Sequence, residues 1–145
     1  ARIVRAPSSD DGAQVAFLAA GRVKEKMAIA GNRSGKTHIG VVDDLIQLLD
    51  VEMLPEWLRP YKAWDPPFRL RVVTMDLNST LYGVMIPKFQ QLVPREALHK
   101  GDWDRAFSSS LRTLRFENGS WVQFMSADQD REKHAGADLD RVHFD

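Results

Sequence analysis

Phosphate chemistry is the first thing this sequence offers. The run Ala30-Gly31-Asn32-Arg33-Ser34-Gly35-Lys36-Thr37 holds two glycines, a lysine and a hydroxyl at a spacing that can wrap a triphosphate. Several donors must converge on such an anion without side chains in the way. Glycines let backbone N–H groups curl round it, and a helix that follows adds its positive N-terminal end. In that arrangement Lys36 bridges the β- and γ-phosphates, and the Thr37 hydroxyl ligates Mg²⁺. The usual pattern opens on a glycine where this chain has Ala30, so context has to support it: a buried strand leading in and an amphipathic helix leading out.

A second group completes the chemistry. In phosphate-loop enzymes a carboxylate at the end of a neighbouring strand holds the magnesium hydration shell opposite the threonine hydroxyl. Val142-His143-Phe144-Asp145 reads as the end of a short apolar strand finishing in such a carboxylate. On its own this signal is weak; downstream of a phosphate loop it is the expected partner.

Apolar spacing predicts the elements that must hold these groups. Residues 10–20 read as a short helix capped by Asp10 or Asp11, with Val15, Leu18 and Ala19 at helical spacing. Residues 24–30 pass from charge to small apolar side chains, as a buried strand does. From Lys36 to about residue 50, Ile39, Val42, Leu45, Ile46 and Leu49 follow the helical period, with Gly40 a mild cost inside. Residues 51–68 hold Pro55, Pro60, Pro66 and Pro67 among Trp57, Tyr61 and Trp64, an irregular connection whose aromatics pack onto the body. A β-branched strand is expected over residues 69–76. Asn78, Ser79 or Thr80 then caps a helix towards Val93, in which Pro87 either makes a kink or starts a second helix. Residues 111–116 and 120–125 flank Asn118-Gly119, a strong hairpin signal. After a polar stretch the chain closes on the strand over residues 141–145. Strands alternating with helices predict a mostly parallel sheet with helices on both faces.

At 145 residues the chain fits one domain with one core. Lys plus Arg equals Asp plus Glu at 20 each, so no overall field draws it to nucleic acid; any such contact needs a local patch. The absence of cysteine excludes a disulfide framework and a cysteine-ligated zinc site, and fits a reducing compartment. The apolar run over residues 15–20 is too short to span a bilayer, and the first residues lack the pattern of a signal peptide. The expectation is a soluble intracellular protein.

The order of these features resembles the large terminase subunits of tailed phages. The run Phe116-Glu117-Asn118-Gly119-Ser120-Trp121-Val122-Gln123-Phe124, then Gly136, an acidic pair and a strand ending in Asp145, carries the likeness. So does the upstream order: Gln14 and Phe17 in a short helix, a strand, then Gly-Asn-Arg-Ser-Gly-Lys-Thr. An arginine inside the phosphate loop and a missing first glycine are common in that family. The resemblance covers about residues 10–145. It implies a three-layer α/β P-loop NTPase core of the additional-strand (ASCE) type, with a β-hairpin before the second-motif strand. Residues 1–145 would be the N-terminal part of the ATPase domain, truncated at the second-motif aspartate, with the nuclease domain absent.

The resemblance also implies roles. Lys36 and Thr37 contact phosphates and Mg²⁺, Asp145 is the second-motif aspartate, Gln14 matches the glutamine that reads the adenine edge, and Arg33 reaches the γ-phosphate or a neighbouring element. Gly31, Asn32, Ser34 and Gly35 complete the ATP-binding loop. The parent would hydrolyse ATP to drive double-stranded DNA into a capsid, in the host cytoplasm at the portal. Its partners would be a portal protein, a small terminase subunit and sister subunits in a ring. Two departures stand out. The family glutamate that orients the attacking water would follow Asp145, where this sequence stops, so the chain is expected to show little hydrolysis itself. The family arginine that precedes the glycine is here Ala135, which leaves Arg131, Lys133 and His134 as stand-ins and the arginine finger unassigned.

Other readings remain beside this one: a superfamily-two helicase-like DNA-dependent ATPase, a small-molecule or nucleotide kinase, and a non-catalytic nucleotide-binding assembly module. A two-metal nuclease built on Asp138, Asp140 and Asp145 is disfavoured, because Asp140 and Asp145 fall on opposite faces of a strand. His38, His99, His134 and His143 lack metal-ligand spacing and read as surface or satisfied core residues. Arg22, Lys24 and Lys26 read as a solvated strand start.

Overall fold

Strand β2 (Arg69–Thr74) runs through the middle of the sheet. It is buried at every position after Arg69, as a strand covered on both faces must be. It pairs in parallel with β5 (Trp121–Ser126) on one edge and with β6 (Arg141–Phe144) on the other. Beyond β6 lies β1 (Glu25–Lys26), also parallel. Beyond β5 lie β4 (Thr113–Arg115) and then β3 (Phe107–Ser108), each antiparallel to its neighbour. The order is β1-β6-β2-β5-β4-β3, a mixed but mostly parallel sheet. The structure is a computed structural model that describes residues 25–26, 36–128 and 138–145. The helix expected over residues 10–20 and the phosphate loop over residues 31–35 lie outside the described residues.

Helix α1 (Lys36–Leu48) follows the expected apolar spacing, and every residue from Ile39 to its end is buried. A helix this enclosed needs its polar groups answered from all sides. Gln47 does so at the tail: its Nε2 donates to Tyr61 O, and its Oε1 accepts from Ala63 N and Trp64 N. Lys62 Nζ donates to the last-turn carbonyls of Ile46 and Gln47 at 3.3 and 2.9 Å. Asn118 Nδ2 donates to Leu48 O. Carbonyls at a helix C-terminus favour donors and positive charge in this way. The 51–68 connection is thereby stapled to α1, and Trp57, Tyr61 and Trp64 pack against the core as expected.

After β2 the chain corrects the expected cap. The strand ends at Thr74 rather than at Asp76, and the capping residue is Asp76, not Asn78, Ser79 or Thr80. Its carboxylate accepts from the backbone N–H and the hydroxyl of both Ser79 and Thr80. The segment Leu77–Met85 winds as a π-helix, with Leu81 N donating to Asp76 O and Ile86 N to Leu81 O, five residues back. It runs into α2 (Ile86–Leu92), where Pro87 sits in the first turn. Of the two expected roles for Pro87, starting a second helix is the one found; its missing N–H costs nothing there.

The Asn118-Gly119 hairpin forms as expected, but with three loop residues. Gly119 N donates to Phe116 O, Phe116 N donates to Ser120 O, and Gly119 takes φ +89°. That is a type I turn closed by a left-handed residue, a conformation glycine adopts without a Cβ penalty. Leading into the hairpin, α3 (Trp103–Ala106) stacks Trp103 on Phe107, whose ring meets Phe124.

Register sorts the sheet faces. Leu70, Val72, Val122, Phe124, Arg141 and His143 share one face. Helix α1 packs there on Arg141 and His143, and α2 packs there through Phe89 against Phe124. Among the described residues no helix is long and apolar enough to cross a membrane.

Candidate functional site

The described part of the site is built from the head of α1 and the C-terminal end of β6. Lys36 and Thr37 are the first two residues of α1, both partly exposed, and the first turn carries no acidic side chain. An anion therefore meets the helix N-terminal charge and the Lys36 ammonium without a nearby carboxylate from that turn. Asp145 lies just past β6, with its N–H donating to Val73 O at 2.9 Å, so its backbone is held to the end of β2.

Three contacts fix how α1 lies on β6. His143 sits against Gly40, Arg141 bonds Asp43, and Leu48 at the tail is bonded to Asn118 just before β5 begins. The helix thus runs antiparallel to the strand, with its head at the strand's C-terminal end. From Gly40 back to Lys36 is about 6 Å at 1.5 Å per residue. From His143 on to Asp145 is about 6.6 Å at 3.3 Å per residue. Lys36, Thr37 and Asp145 therefore share one rim of the sheet. Strand alternation places Asp145 on the α1 face with His143.

Beneath that rim lies a buried ionic seam that the sequence reading missed. Arg141 Nη1 donates to Asp43 Oδ2 at 2.6 Å, with Asp44 Oδ1 at 3.9 Å, and the guanidinium lies 5.6 Å from the centre of the Phe68 ring. His143 Nδ1 meets Asp44 Oδ2 at 2.5 Å, a short buried contact between imidazole and carboxylate. Burial lowers the His143 pKa, but the charge of Asp44, with Asp145 and Asp43 adding, outweighs it and leaves it raised. Gly40 makes the seat for the ring: a Cβ there would lie 2.8 Å from His143 Cε1. A signal was present in the sequence. Two adjacent aspartates interrupt the apolar helix pattern, and Arg141 and His143 alternate with Val142 and Phe144. The strand expected to be apolar is apolar on one face alone.

The remaining expected residues fall elsewhere. Asp138 and Asp140 pair with Arg69 at the start of β2 and β6, the opposite end of these strands from Asp145. Among the described residues no group of three or more His, Cys, Asp or Glu could hold a metal. Gln14, Gly31, Asn32, Arg33, Ser34 and Gly35 lie outside the described residues, as do Arg131, Lys133, His134, Ala135 and Gly136. An open pocket lined by Arg59, Lys62, Trp64 and Asp65 lies at the tail of α1, away from this rim. No known family model, curated protein or solved structure matches the chain significantly.

Proposed function

We propose that this chain belongs to the ATP-hydrolysing motor of a terminase large subunit, with the phosphate loop at residues 30–37 and the second-motif carboxylate at Asp145. One observation carries the reading: α1 opens at Lys36-Thr37 on the same sheet rim at which β6 delivers Asp145. Glycine-rich sequence ahead of a helix whose first turn lacks acidic side chains suits a polyphosphate. A threonine and an aspartate on one rim suit a hydrated Mg²⁺. Lys36 and the backbone amides of residues 31–35 would orient the γ-phosphate of a bound ATP, Thr37 and Asp145 would hold its Mg²⁺, which would offset the phosphate charge, and Arg33 would respond to the γ-phosphate. Contacts that differ before and after hydrolysis would drive DNA movement.

Double-stranded DNA, a portal, a small subunit and sister subunits enter through the family resemblance, as does the host cytoplasm at the portal. The additional-strand fold type calls for a further strand between β1 and β6, but these two pair directly, Glu25 with Val142 and Lys26 with His143, so the phosphate-loop core is proposed without that strand.

The test is Lys36→Ala in the whole motor. ATP turnover should be abolished while the circular dichroism spectrum stays unchanged. Retained turnover ends the phosphate-loop reading.

A further inference from the structure

The seam between α1 and β6 bears directly on the geometry of that rim. Within the sheet, Asp145 is fixed by its hydrogen bond to Val73 O. That bond lies in the plane of the sheet and does not set how far the strand end stands from the helix. The distance across the layers is set by what joins β6 to α1. Nearest the rim that joint is His143 on Asp44, with the ring seated against Gly40. Along the chain, Asp145 is two residues from His143, and Lys36 is one helical turn from Gly40. Arg141 on Asp43 is the deeper joint, further from the rim.

We propose that the His143–Asp44 pair, seated on Gly40, is a positioning device that sets the spacing between the helix bearing Lys36 and Thr37 and the strand bearing Asp145, and thereby tunes the metal-dependent part of nucleotide binding. This deepens the phosphate-loop reading and rests on it. His143 touches neither phosphate nor metal in this role. It acts through the strand, as partners behind a metal ligand do when they fix the ligand's position. Without the ring, β6 settles towards the helix, and the Thr37-to-Asp145 span that a hydrated metal needs is lost.

The experiment titrates the full chain with a fluorescent ATP analogue, once with Mg²⁺ and once with a chelator. Wild type should bind more tightly with Mg²⁺. His143→Ala should cut that gain by about tenfold, the scale seen when a partner behind a metal ligand is removed, while leaving metal-free affinity unchanged. Asp145→Ala should cut it at least as far, and the double variant should lose no more than Asp145→Ala alone, the non-additivity of groups acting through one joint. His143→Gln, which keeps a donor towards Asp44, should retain most of the gain. Asp43→Asn, at the deeper joint, should lower Tm and leave the gain intact.

A folded His143→Ala chain with an undiminished Mg²⁺ gain overturns the proposal. So does an equal loss in Asp43→Asn, which would make the whole seam merely stabilising. Should His143→Ala fail to fold, Gly40→Ala, which displaces the ring, and Asp44→Asn take its place with the same expected loss. If Lys36→Ala abolishes binding but the Mg²⁺ gain survives every seam variant, the positioning role fails alone. If wild type binds no nucleotide under either condition, the phosphate-loop reading fails and takes this proposal with it.

Discussion

Two arginine–aspartate clusters tie the start of β6 into the molecule, and their shortest contacts are nearly identical in length. Arg141 meets Asp43 at 2.6 Å, and Arg69 meets Asp138 at 2.7 Å and Asp140 at 3.0 Å. Their surroundings are opposite. The Arg141 and Asp43 side chains are 1% and 3% exposed, whereas those of Arg69 and Asp138 are 33% and 88% exposed. Water screens the Arg69–Asp138 contact and competes for both partners, so that short contact contributes little, while the Arg69–Asp140 fork, whose carboxylate is 16% exposed, is only partly shielded. The first pair lies where removing one member leaves the other charge in low dielectric, and its loss is expensive. Bond length does not rank these interactions; solvent access does.

The sharpest way to break that contrast is Asp43→Ala. Removing the nearest carboxylate from a buried guanidinium costs about 3–5 kcal/mol, and Asp44 at 3.9 Å should hold the loss near the lower end. Denaturant titration should show a drop of that size, and a loss under about 1 kcal/mol would put the two pairs in one class.

Gly40→Ala sharpens the comparison next. A new Cβ 2.8 Å from a ring that Asp44 holds in place is overpacking, worth about 1–3 kcal/mol. Helix propensity returns about 1 kcal/mol of that. In a His143→Ala background the clash is gone, so the same substitution should become stabilising. A double-mutant cycle without that change of sign would refute the seat.

Third comes the half-buried cap at Asp76. Hydrogen bonds from Ser79 and Thr80 hold its pKa down at about 2, against 3.8 for the free side chain. Because the folded value is depressed, this stabilisation is complete above pH 3.8 and fades as pH falls towards 2. Thermal melts between these limits should therefore slope less in Asp76→Asn than in wild type. Smallest of all is Arg69→Ala, whose Tm change should fall well below that of Asp43→Ala in one salt and shrink further as salt rises.

Local pattern carried most of the architecture. Helix α1 followed from the spacing of Ile39, Val42, Leu45 and Ile46, and the hairpin followed from Asn118-Gly119. These signals are written within a few residues of the structure they specify. The seam was not legible because its partners stand 98 and 99 residues apart in the chain. An aspartate pair in a helix and an arginine and histidine in a strand name no partner until the layers stack. The Asp76 cap was missed for a nearer reason: β2 stops two residues early, and the π-helix begins before the Asn-Ser-Thr run that looked like its start. Of the candidate site, the described residues bring Lys36, Thr37 and Asp145 to one rim, while the loop itself lies outside them.

Helix α1 is gripped at both ends: Gly40 and Asp44 hold His143 near its head, and Gln47 takes three hydrogen bonds at its tail. One inserted residue between those grips would turn the tail by about 100° and advance it about 1.5 Å, breaking one set of contacts whichever set survived. Length variation should therefore be tolerated at the exposed turn around Ser109 and Ser110 and rejected inside α1, so a scan of single-residue insertions would trace the helix as an intolerant block.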